Sequence, residues 1–387
     1  MLKRLVDPLR LPLEYPSDLK ARVCFGRATA VELSRACGYV ALGTADGTLL
    51  VLDAETLAPQ LRYRAHAGAV THVSWSADAR TLVTYGEDWC FCVWDLARRT
   101  VRATHQLAFS PGAVAFDPGQ FSRAALLSGR DLFVVDISLE TEGDNALGGL
   151  EPWASLPEDV RASDFTAAQF VHNGLAVGTN KGHLVLYGTG AERAELGSAV
   201  KLATAGVRAL GYSSATRTLA VSCGDRAVRV VNVSDLSEPE IGHKFSDLGL
   251  RCQWTALAFS ADGEYLYATS DTGSGKVSVW NTLTLALAQQ LDGARERLTA
   301  LAFCPPRTAL FATGAQTGSL YVWLPPHTDT WGALLPDFEQ LGGLEYRTEE
   351  EDSWDIPPPP PPPDLGKKID IWTVREPVTE IAIAGDI

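Results

Sequence analysis

The stretch AHAGAVTHVSWSADARTLVTYGEDWCFCVWD, residues 65–95, decides the fold of this chain. Apolar and polar residues alternate through 70–75, as a half-buried β-strand requires. A second apolar run follows at 81–84, then an acidic turn at 87–88, and the stretch closes on Val-Trp-Asp at 93–95. It therefore predicts a compact unit of short strands joined by tight turns.

Copies of this unit recur along the chain, and their closing positions fall 41 to 52 residues apart. A WD-type propeller blade repeats every ~40–45 residues, and the two longest intervals here contain polar inserts at 140–159 and 237–250. The closing positions are Asp53, Asp95, Asp136, Gly188, Asn232, Asn281 and Leu324. Because one blade cannot bury both of its faces, seven copies predict an all-β, seven-bladed WD-repeat β-propeller with an extended, largely irregular C-terminal tail.

The repeat divides the chain into three parts. Residues 1–27 form a lead-in, in which a strand around 20–25 is expected to close the ring on the last blade. Residues 28–326 form the propeller, and residues 327–387 form the tail. This organisation predicts one rigid body followed by a segment of different character.

Composition narrows the functional classes. The chain has 387 residues, 46% of them hydrophobic and 21% charged, and no apolar run approaches the ~20 residues of a membrane span. Residues 1–13 lack the continuous apolar core of a secretory signal, and the seven cysteines are scattered, as expected for reduced thiols in the cytosol or nucleus. A net charge of −14 argues against nucleic-acid binding through the global field, but permits a local basic rim.

Four residues of the second repeat have the order of the hydrogen-bonded tetrad of WD blades: His66, Thr84, Asp88 and Trp94. A catalytic His/Asp pair is the competing interpretation. In blades of this kind such residues satisfy one another in a buried network, so a structural role is favoured.

No other pattern indicates an active site. His72, Cys90 and Cys92 lie near His66, but no spacing matches a zinc site. Phosphate-cradling loops, a nucleophile elbow and paired carboxylates are missing from the sequence. The sequence therefore predicts a protein that is not an enzyme and that needs no cofactor, metal or small-molecule substrate.

The sequence changes character after the seventh repeat. The block WGALLPDF at 331–338 is followed by the acidic run EEED at 349–352 and by SWDI at 353–356. Seven consecutive prolines occupy 357–363, and KKIDIWTVREP occupies 367–377. Propellers in general do not carry such a block.

Together these features resemble the retinoblastoma-binding protein five family, the WD-repeat subunit of COMPASS/MLL-type complexes that methylate lysine four of histone three. The resemblance covers nearly the whole chain, from the Tyr15-Pro16 lead-in through the blade order to the Trp-Pro-Asp-Phe block and the aromatic-Asp-Ile ending at 354–356. It implies a non-catalytic, nuclear chromatin regulator that acts as a scaffold. A WD-repeat adaptor of an unrelated complex, such as a ubiquitin-ligase substrate receptor, is the alternative.

In that family the segment after the propeller contacts the catalytic SET domain and the Ash-two-like subunit. The resemblance assigns this role within 345–356 to Glu345, Tyr346, Glu349, Glu350, Glu351, Asp352, Trp354, Asp355 and Ile356. An acidic peptide with one aromatic anchor suits such docking, whereas an acidic run alone merely solubilises a tail. Here the acidic segment is shorter than in the family, and Trp354 replaces the usual phenylalanine.

A second tail motif, within 368–377, is similar to the peptide that docks on a WD-repeat-five-like propeller. Its matching residues are Ile369, Asp370, Ile371, Thr373, Val374, Glu376 and Pro377. Extended β-branched residues present alternate side chains to a groove; an unstructured terminus is the alternative. Trp372 and an inserted Arg375 depart from the family pattern.

The prolines at 357–363 separate the two motifs. A polyproline stretch is a semi-rigid spacer of ~3.1 Å per residue, so residues 357–366 span about 30 Å. A fixed separation raises the effective concentration of the second partner. A ligand for a proline-binding domain is the competing interpretation.

Family members also touch nucleosomal DNA through basic side chains of the propeller. The matching positions are Arg226, Arg251 and Arg295. Their contacts would be to phosphate and independent of base sequence. Ordinary solvated arginines are the equally simple alternative.

Overall fold

The computed structural model describes residues 15–34, 38–76, 78–107, 112–116, 123–136, 153–155, 163–172, 174–188, 195–246, 252–273, 275–304 and 308–325. The chain divides into two units, 1–328 and 329–387, and the described residues belong to the first. They form seven four-stranded antiparallel sheets. Within these ranges no helix is long and apolar enough to cross a membrane.

Each sheet is one blade, and in blades 1 to 6 the strands follow one another in chain order from the first to the fourth. Blades 1 and 2 comprise β2 (Ala28–Leu33), β3 (Tyr39–Thr44), β4 (Thr48–Asp53), β5 (Pro59–Arg64), β6 (Val70–Trp75), β7 (Thr81–Gly86), β8 (Cys90–Asp95) and β9 (Thr100–Gln106). Blades 3 and 4 comprise β10 (Ala113–Phe116), β11 (Arg123–Ser128), β12 (Asp131–Asp136), β13 (Ala154–Ser155), β14 (Phe165–Val171), β15 (Gly174–Thr179), β16 (His183–Gly188) and β17 (Glu195–Lys201). Blades 5 and 6 comprise β18 (Val207–Ser213), β19 (Thr218–Cys223), β20 (Ala227–Asn232), β21 (Glu240–Phe245), β22 (Trp254–Phe259), β23 (Tyr265–Ser270), β24 (Val277–Asn281) and β25 (Ala286–Leu291).

Blade 7 is assembled from both ends of the described chain. Its strands are β26 (Leu298–Cys304), β27 (Ala309–Gly314), β28 (Leu320–Leu324) and β1 (Asp18–Val23). β1 pairs antiparallel with β28, in a register that runs from Asp18 opposite Leu324 to Val23 opposite Leu320. The strand that precedes blade 1 in sequence is therefore the outermost strand of blade 7, and the ring is closed by this pairing.

The first strands of the blades form the inner wall of the ring. Each contacts the first strand of the next blade, and β26 contacts β2 to complete the circle. The seven closing positions of the sequence repeat are each the last residue of a third strand, from Asp53 in β4 to Leu324 in β28. The predicted seven-bladed, all-β propeller is confirmed.

The antiparallel strand order gives the ring two distinct ends. In every blade the first strand begins at one end of the ring. The fourth strand finishes at that same end, and the turn from the second strand to the third also lies there. We call this end the upper face, and the opposite end, with the first-to-second and third-to-fourth turns, the lower face.

The hydrophobic core lies between neighbouring blades. Seven clusters of buried side chains each combine residues of two adjacent sheets; one joins Tyr85 and Phe91 of blade 2 to Phe116 and Leu126 of blade 3. Each of these four side chains is buried. Because the apolar area is removed from water only by the neighbouring blade, stability depends on the complete ring.

Hydroxyl groups add specific bonds between blades. Threonine is the second residue of five first strands, namely Thr29, Thr71, Thr166, Thr255 and Thr299. Three of these donate to the carbonyl of the first residue of the next first strand: Thr29 to Val70, Thr166 to Val207 at 2.8 Å and Thr255 to Leu298 at 3.1 Å. The pairing register shifts at this position in six blades, and the resulting bulge directs the side chain towards the neighbour.

A carboxyl group joins blades 1, 2 and 3 on the inner wall. Glu32 Oε2 accepts the Trp75 amide N–H at 3.0 Å, and Oε1 accepts the Ser74 hydroxyl at 3.4 Å. Ser74 Oγ in turn accepts the Phe116 amide N–H at 3.2 Å. Glu32 keeps some accessible surface, but its carboxyl group is surrounded by protein. Burial raises the pKa of Glu32 to about 8, and the hydrogen bonds from Ser74 and Trp75 oppose this rise only in part.

Replacing this carboxyl by an amide should change the pH dependence of stability. Between the ordinary pKa of 4.5 and about 8, the folded chain retains a proton that the unfolded chain has lost, so the Glu32 contribution to the unfolding free energy falls as pH rises. Glu32→Gln removes this loss. We expect its melting temperature to exceed that of the wild type by a margin that grows from pH 5 to pH 8.5, measured by scanning calorimetry.

The exposed Glu87 of blade 2 supplies the control, since Glu87→Gln should show no such growing margin. A constant margin for Glu32→Gln across this pH range would contradict the assignment of the raised pKa.

Candidate functional site

The structure brings the four predicted tetrad residues of blade 2 into one hydrogen-bonded chain. Trp94 Nε1 donates to Thr84 Oγ1 at 3.0 Å, and Thr84 Oγ1 lies 2.8 Å from His66 Nε2. His66 Nδ1 lies 3.0 Å from Asp88 Oδ1. A neutral His66 with its proton on Nδ1 satisfies every member, because Thr84 then donates to Nε2 while it accepts from the indole.

The charge states of the four tetrad residues stabilise the fold and leave no free base. Burial lowers the pKa of His66, with the charge and hydrogen bond of Asp88 opposing that shift. Burial would raise the pKa of Asp88, but the Ala67 and Cys90 amides together with His66 lower it overall. The imidazole stays neutral and the carboxylate stays ionised. Both ring nitrogens are occupied, so His66 has no remaining site at which to accept a substrate proton.

Blade 7 carries a second buried network that the sequence analysis did not identify. Glu296 occupies the space against Gly314 that His66 occupies against Gly86 in blade 2, and its side chain is buried. Its carboxylate accepts the Gln316 and Thr317 amides at 2.8 Å each, the Tyr321 hydroxyl at 2.8 Å and the Thr317 hydroxyl. Burial opposes the charge, yet these bonds lower the pKa of Glu296.

The signal for Glu296 was present in the sequence as an irregularity. Ala294 stands where the repeat places its histidine, and the acid follows two residues later. A blade without its histidine needs another polar group to satisfy the turn amides. Because Glu296 is displaced by two residues from the histidine position, it does not fit the repeat template, and the repeat pattern does not predict its network.

Within the described residues, the other side chains that could bind a metal or act as a nucleophile also have the surroundings of structural residues. No group of three or more His, Cys, Asp or Glu side chains in this part of the chain could hold a metal ion. Six cysteines belong to this part of the chain, and burial raises the pKa of the Cys92 thiol to about 11. A thiol with so high a pKa is a poor nucleophile at neutral pH.

Two of the three predicted nucleosome-contacting arginines lie at the upper face. Arg226 is exposed in the turn between β19 and β20, and Arg295 is exposed in the connection from β25 to β26. A buried residue holds the turn that contains Arg226, because the Trp254 indole donates to the Arg226 carbonyl at 3.1 Å. Arg251 lies outside the described residues.

Both predicted tail motifs also lie outside the described residues. These are the segment 345–356, with Trp354 as its aromatic anchor, and the docking motif 368–377. The proline run 357–363 between them is likewise outside. Their assignments remain predictions from the sequence.

Comparison with known proteins extends the description of the fold. Residues 57–95 match the family model "WD domain, G-beta repeat", the stretch that carries the tetrad. The crystal structure of the Cps50 (Swd1) β-propeller domain from Myceliophteria thermophila superposes with a TM-score of 0.72 at 25% identity, covering 80% of this chain and 100% of that one. The class is therefore a seven-bladed WD40 propeller.

Curated relatives specify the class further. The Set1 complex component swd1 of Schizosaccharomyces pombe is 27% identical over 91% of this chain and 89% of its own. The COMPASS component SWD1 of Saccharomyces cerevisiae is 28% identical over 91% and 86%. Retinoblastoma-binding protein 5 homologues of Caenorhabditis elegans and Drosophila melanogaster match at 24% and 23%. The homologues of this chain are thus the Swd1 and retinoblastoma-binding protein 5 proteins, and the predicted resemblance is confirmed.

Removing the central hydroxyl of the tetrad should destabilise blade 2. Thr84→Val keeps the side-chain shape but leaves the His66 imidazole and the Trp94 indole without their shared partner. Each orphaned buried group costs about 1–3 kcal/mol, so we expect a loss of about 2–4 kcal/mol in urea unfolding, with faster amide exchange in β7 and β8. Thr100→Val, at an exposed position of β9, should change stability by less than about 0.5 kcal/mol. Equal losses in the two variants would contradict the tetrad's role.

Proposed function

We propose that this chain is a non-catalytic scaffold subunit of a Set1/COMPASS-type complex that methylates lysine four of histone three in the nucleus. The observation that carries the proposal is the extent of the similarity to the swd1 relatives. That match covers 91% of the chain, about 352 residues, and so extends beyond the described propeller at 15–325. A WD40 ring shared with unrelated adaptors would match over the ring alone.

The non-catalytic role in this proposal is supported by what the described polar groups do. The His66 and Glu296 networks are closed hydrogen-bond systems within single blades, and neither offers a free base or nucleophile. The ring supports function by holding its surfaces in a fixed geometry.

Activation is assigned to the tail segment 345–356. Its carboxylates suit basic groups on a partner, and Trp354 provides one large apolar anchor. In this proposal the segment bridges the SET-domain enzyme and the Ash-two-like subunit and stabilises the active arrangement of the SET domain.

Assembly is assigned to the second motif and to the spacer before it. Residues 368–377 dock as an extended peptide on a WD-repeat-five-like propeller. The proline run 357–363 fixes the separation of the two docked motifs, so that engagement of one raises the effective concentration of the other. Arg226, Arg251 and Arg295 contact the phosphate backbone of nucleosomal DNA.

Deleting residues 345–356 should abolish stimulation of methylation without unfolding the ring. The reason is that the ring's strands end at Leu324, well before the deletion. The measurement is histone-three methylation by the reconstituted complex, together with the melting temperature of the isolated variant. Deleting residues 378–387, a tail segment of similar length beyond both motifs, is the matched control and should leave stimulation intact. Unchanged stimulation in the 345–356 deletion would refute the activation role.

Substitutions in the second motif should separate assembly from activation. Ile369→Ala with Val374→Ala removes two β-branched side chains that a docking groove would receive, each worth about 1–2 kcal/mol. We expect at least tenfold weaker binding of the WD-repeat-five-like subunit by calorimetry, with binding of the Ash-two-like subunit unchanged. Equal affinity of the variant and the wild type for the propeller partner would eliminate this motif as the docking peptide.

A further inference from the structure

The turn between β24 and β25, on the lower face of blade 6, contains leucines that its geometry does not require. Blades 1, 2 and 6 share one turn at this place, in which the last side chain of the third strand accepts a turn amide N–H: Asp53 from Glu55 at 2.7 Å, Asp95 from Arg98 at 3.0 Å and Asn281 from Leu283 at 2.8 Å. The fifth residue of each turn has a positive φ, which is 57° at Arg99 and 59° at Leu285. Because Arg99 adopts the same conformation, the turn accepts a charged residue at the position of Leu285.

The leucines of this turn are exposed to solvent. Leu283 is 71% exposed and Leu285 is 46% exposed. At the position of Leu285, blade 1 has Leu57, which packs partly buried against the core, and blade 2 has the exposed Arg99. Blades 1 and 2 therefore build the same turn without presenting leucine to water.

The exposure of Leu287 has a different origin. Leu287 lies opposite Trp280, the residue before the end of the third strand. Three other blades place an exposed apolar residue at this register position: Val101, Leu196 and Ile241. The exposure of Leu287 thus belongs to the repeat, whereas that of Leu283 and Leu285 does not.

The strand that follows the turn is an edge without the usual protection. Natural edge strands carry charged residues or proline, which prevent pairing with another chain. The other fourth strands longer than two residues each contain a lysine or arginine: Arg62 in β5, Arg102 in β9, Lys201 in β17, Lys244 in β21 and Lys20 in β1. The sequence of β25 is ALAQQL, with no charge and no proline.

Turn and strand together form one exposed apolar run. All six residues from 283 to 288 are exposed, and five of them are leucine or alanine. Within the described residues no strand pairs with the outer side of β25. An exposed run of this kind is expected only where it serves a function, and its free backbone groups are those that an added strand would bond to.

The charges of blade 6 indicate the kind of strand that would be added. Lys276 is the only cation in the sequence 252–291, and it pairs with Asp292 at 3.4 Å. The lower-face turn between β22 and β23 carries Asp262 and Glu264. Neither carboxylate forms an ion pair within the part of the chain that the structure describes.

This acidic turn adjoins the leucine turn directly. The Thr282 hydroxyl donates to the Glu264 carbonyl at 3.0 Å, and the Thr282 amide donates to the same carbonyl at 2.7 Å. Leu283 is the next residue. A cation at the end of a strand paired with β25 would therefore meet these carboxylates, whereas a second copy of this chain would bring one acidic blade against another.

We propose that the outer edge of β25 and the leucine turn before it dock an extended peptide of a partner protein. The peptide pairs as a fifth strand of blade 6, covers Leu283 and Leu285 with apolar side chains, and places a lysine or arginine beside Asp262 and Glu264. The inference goes beyond the proposed function, none of whose assigned residues lies in β25 or in this turn.

The test uses the full chain and a fluorescein-labelled peptide in which valine alternates with threonine and two lysines follow at one end. Binding is measured by anisotropy. The variant Leu285→Arg with Ala288→Arg should bind at least tenfold more weakly, because it places charges on the apolar edge. Blade 2 has Arg99 and Arg102 at the two equivalent positions, so the variant should keep the melting temperature of the wild type.

Matched controls separate this edge from any exposed apolar residue. Leu196→Arg changes an exposed leucine of the fourth strand of blade 4 and should bind the peptide like the wild type. A peptide with proline at its central valine should not bind, because proline interrupts the ladder of hydrogen bonds. Asp262→Asn with Glu264→Gln should weaken binding of the lysine peptide severalfold, without weakening binding of a peptide that has threonine in place of both lysines.

Four results would overturn the proposal. These are failure of the wild type to bind the peptide, undiminished binding by the Leu285→Arg, Ala288→Arg variant, an equal loss in Leu196→Arg, and equal binding of the proline peptide. A wild-type dimer in sedimentation that the double variant abolishes would also overturn it, since the occupant would then be a second copy. Slow amide exchange along the outer edge of β25 in the free monomer would show that the chain itself covers this edge, with the same consequence.

Discussion

Every blade of this ring buries its faces only against its neighbours, so the pairing of β1 with β28 is the constraint on which the rest depends. Without it the outer edge of blade 7 would be open, and the ring would be closed only by the packing of blade 7 against blade 1. That pairing joins residues about 300 positions apart in sequence, and the entropy lost in closing such a loop grows only slowly with its length. One strand from the other end of the chain is therefore a low-cost way to fix seven interdependent blades.

Closure explains why so much polar detail lies between blades and at blade ends. Once the ring is complete, each buried boundary needs its backbone groups satisfied. The chain uses a threonine hydroxyl at three boundaries, Ser222 at a fourth, and the Glu32 carboxyl where blades 1 and 2 meet. Different residues thus make the same kind of bond between blades. At the boundary of blades 5 and 6 the Ser222 hydroxyl bonds to the Trp254 carbonyl in place of a threonine.

How far the sequence predicts this structure depends on the range of the interaction. The ends of the third strands, from Asp53 to Leu324, follow from local alternation and turn chemistry, and all seven were located correctly. The tetrad could be predicted from the sequence because a single blade contains all four of its residues, His66, Thr84, Asp88 and Trp94. Glu296 and the Ser74–Glu32 contact were missed, since the first departs from the repeat template and the second joins residues 42 positions apart. No local pattern encodes a contact whose two members belong to different copies of the repeat.

The same reasoning separates what the ring contributes from what the tail contributes. The polar groups of His66 and Glu296 bond within their own blades, so these two networks stabilise the ring, whose surfaces are held in place. A rigid ring can present a cation at a fixed position, because the backbone of Arg226 is held by the hydrogen bond from the buried Trp254 indole. Docking peptides need the opposite property, which is freedom to adopt the shape of a partner's groove. The proposed function therefore divides its contacts between the two units for a physical reason: phosphate contacts by the ring require fixed charges, and partner docking by the tail requires an adaptable chain.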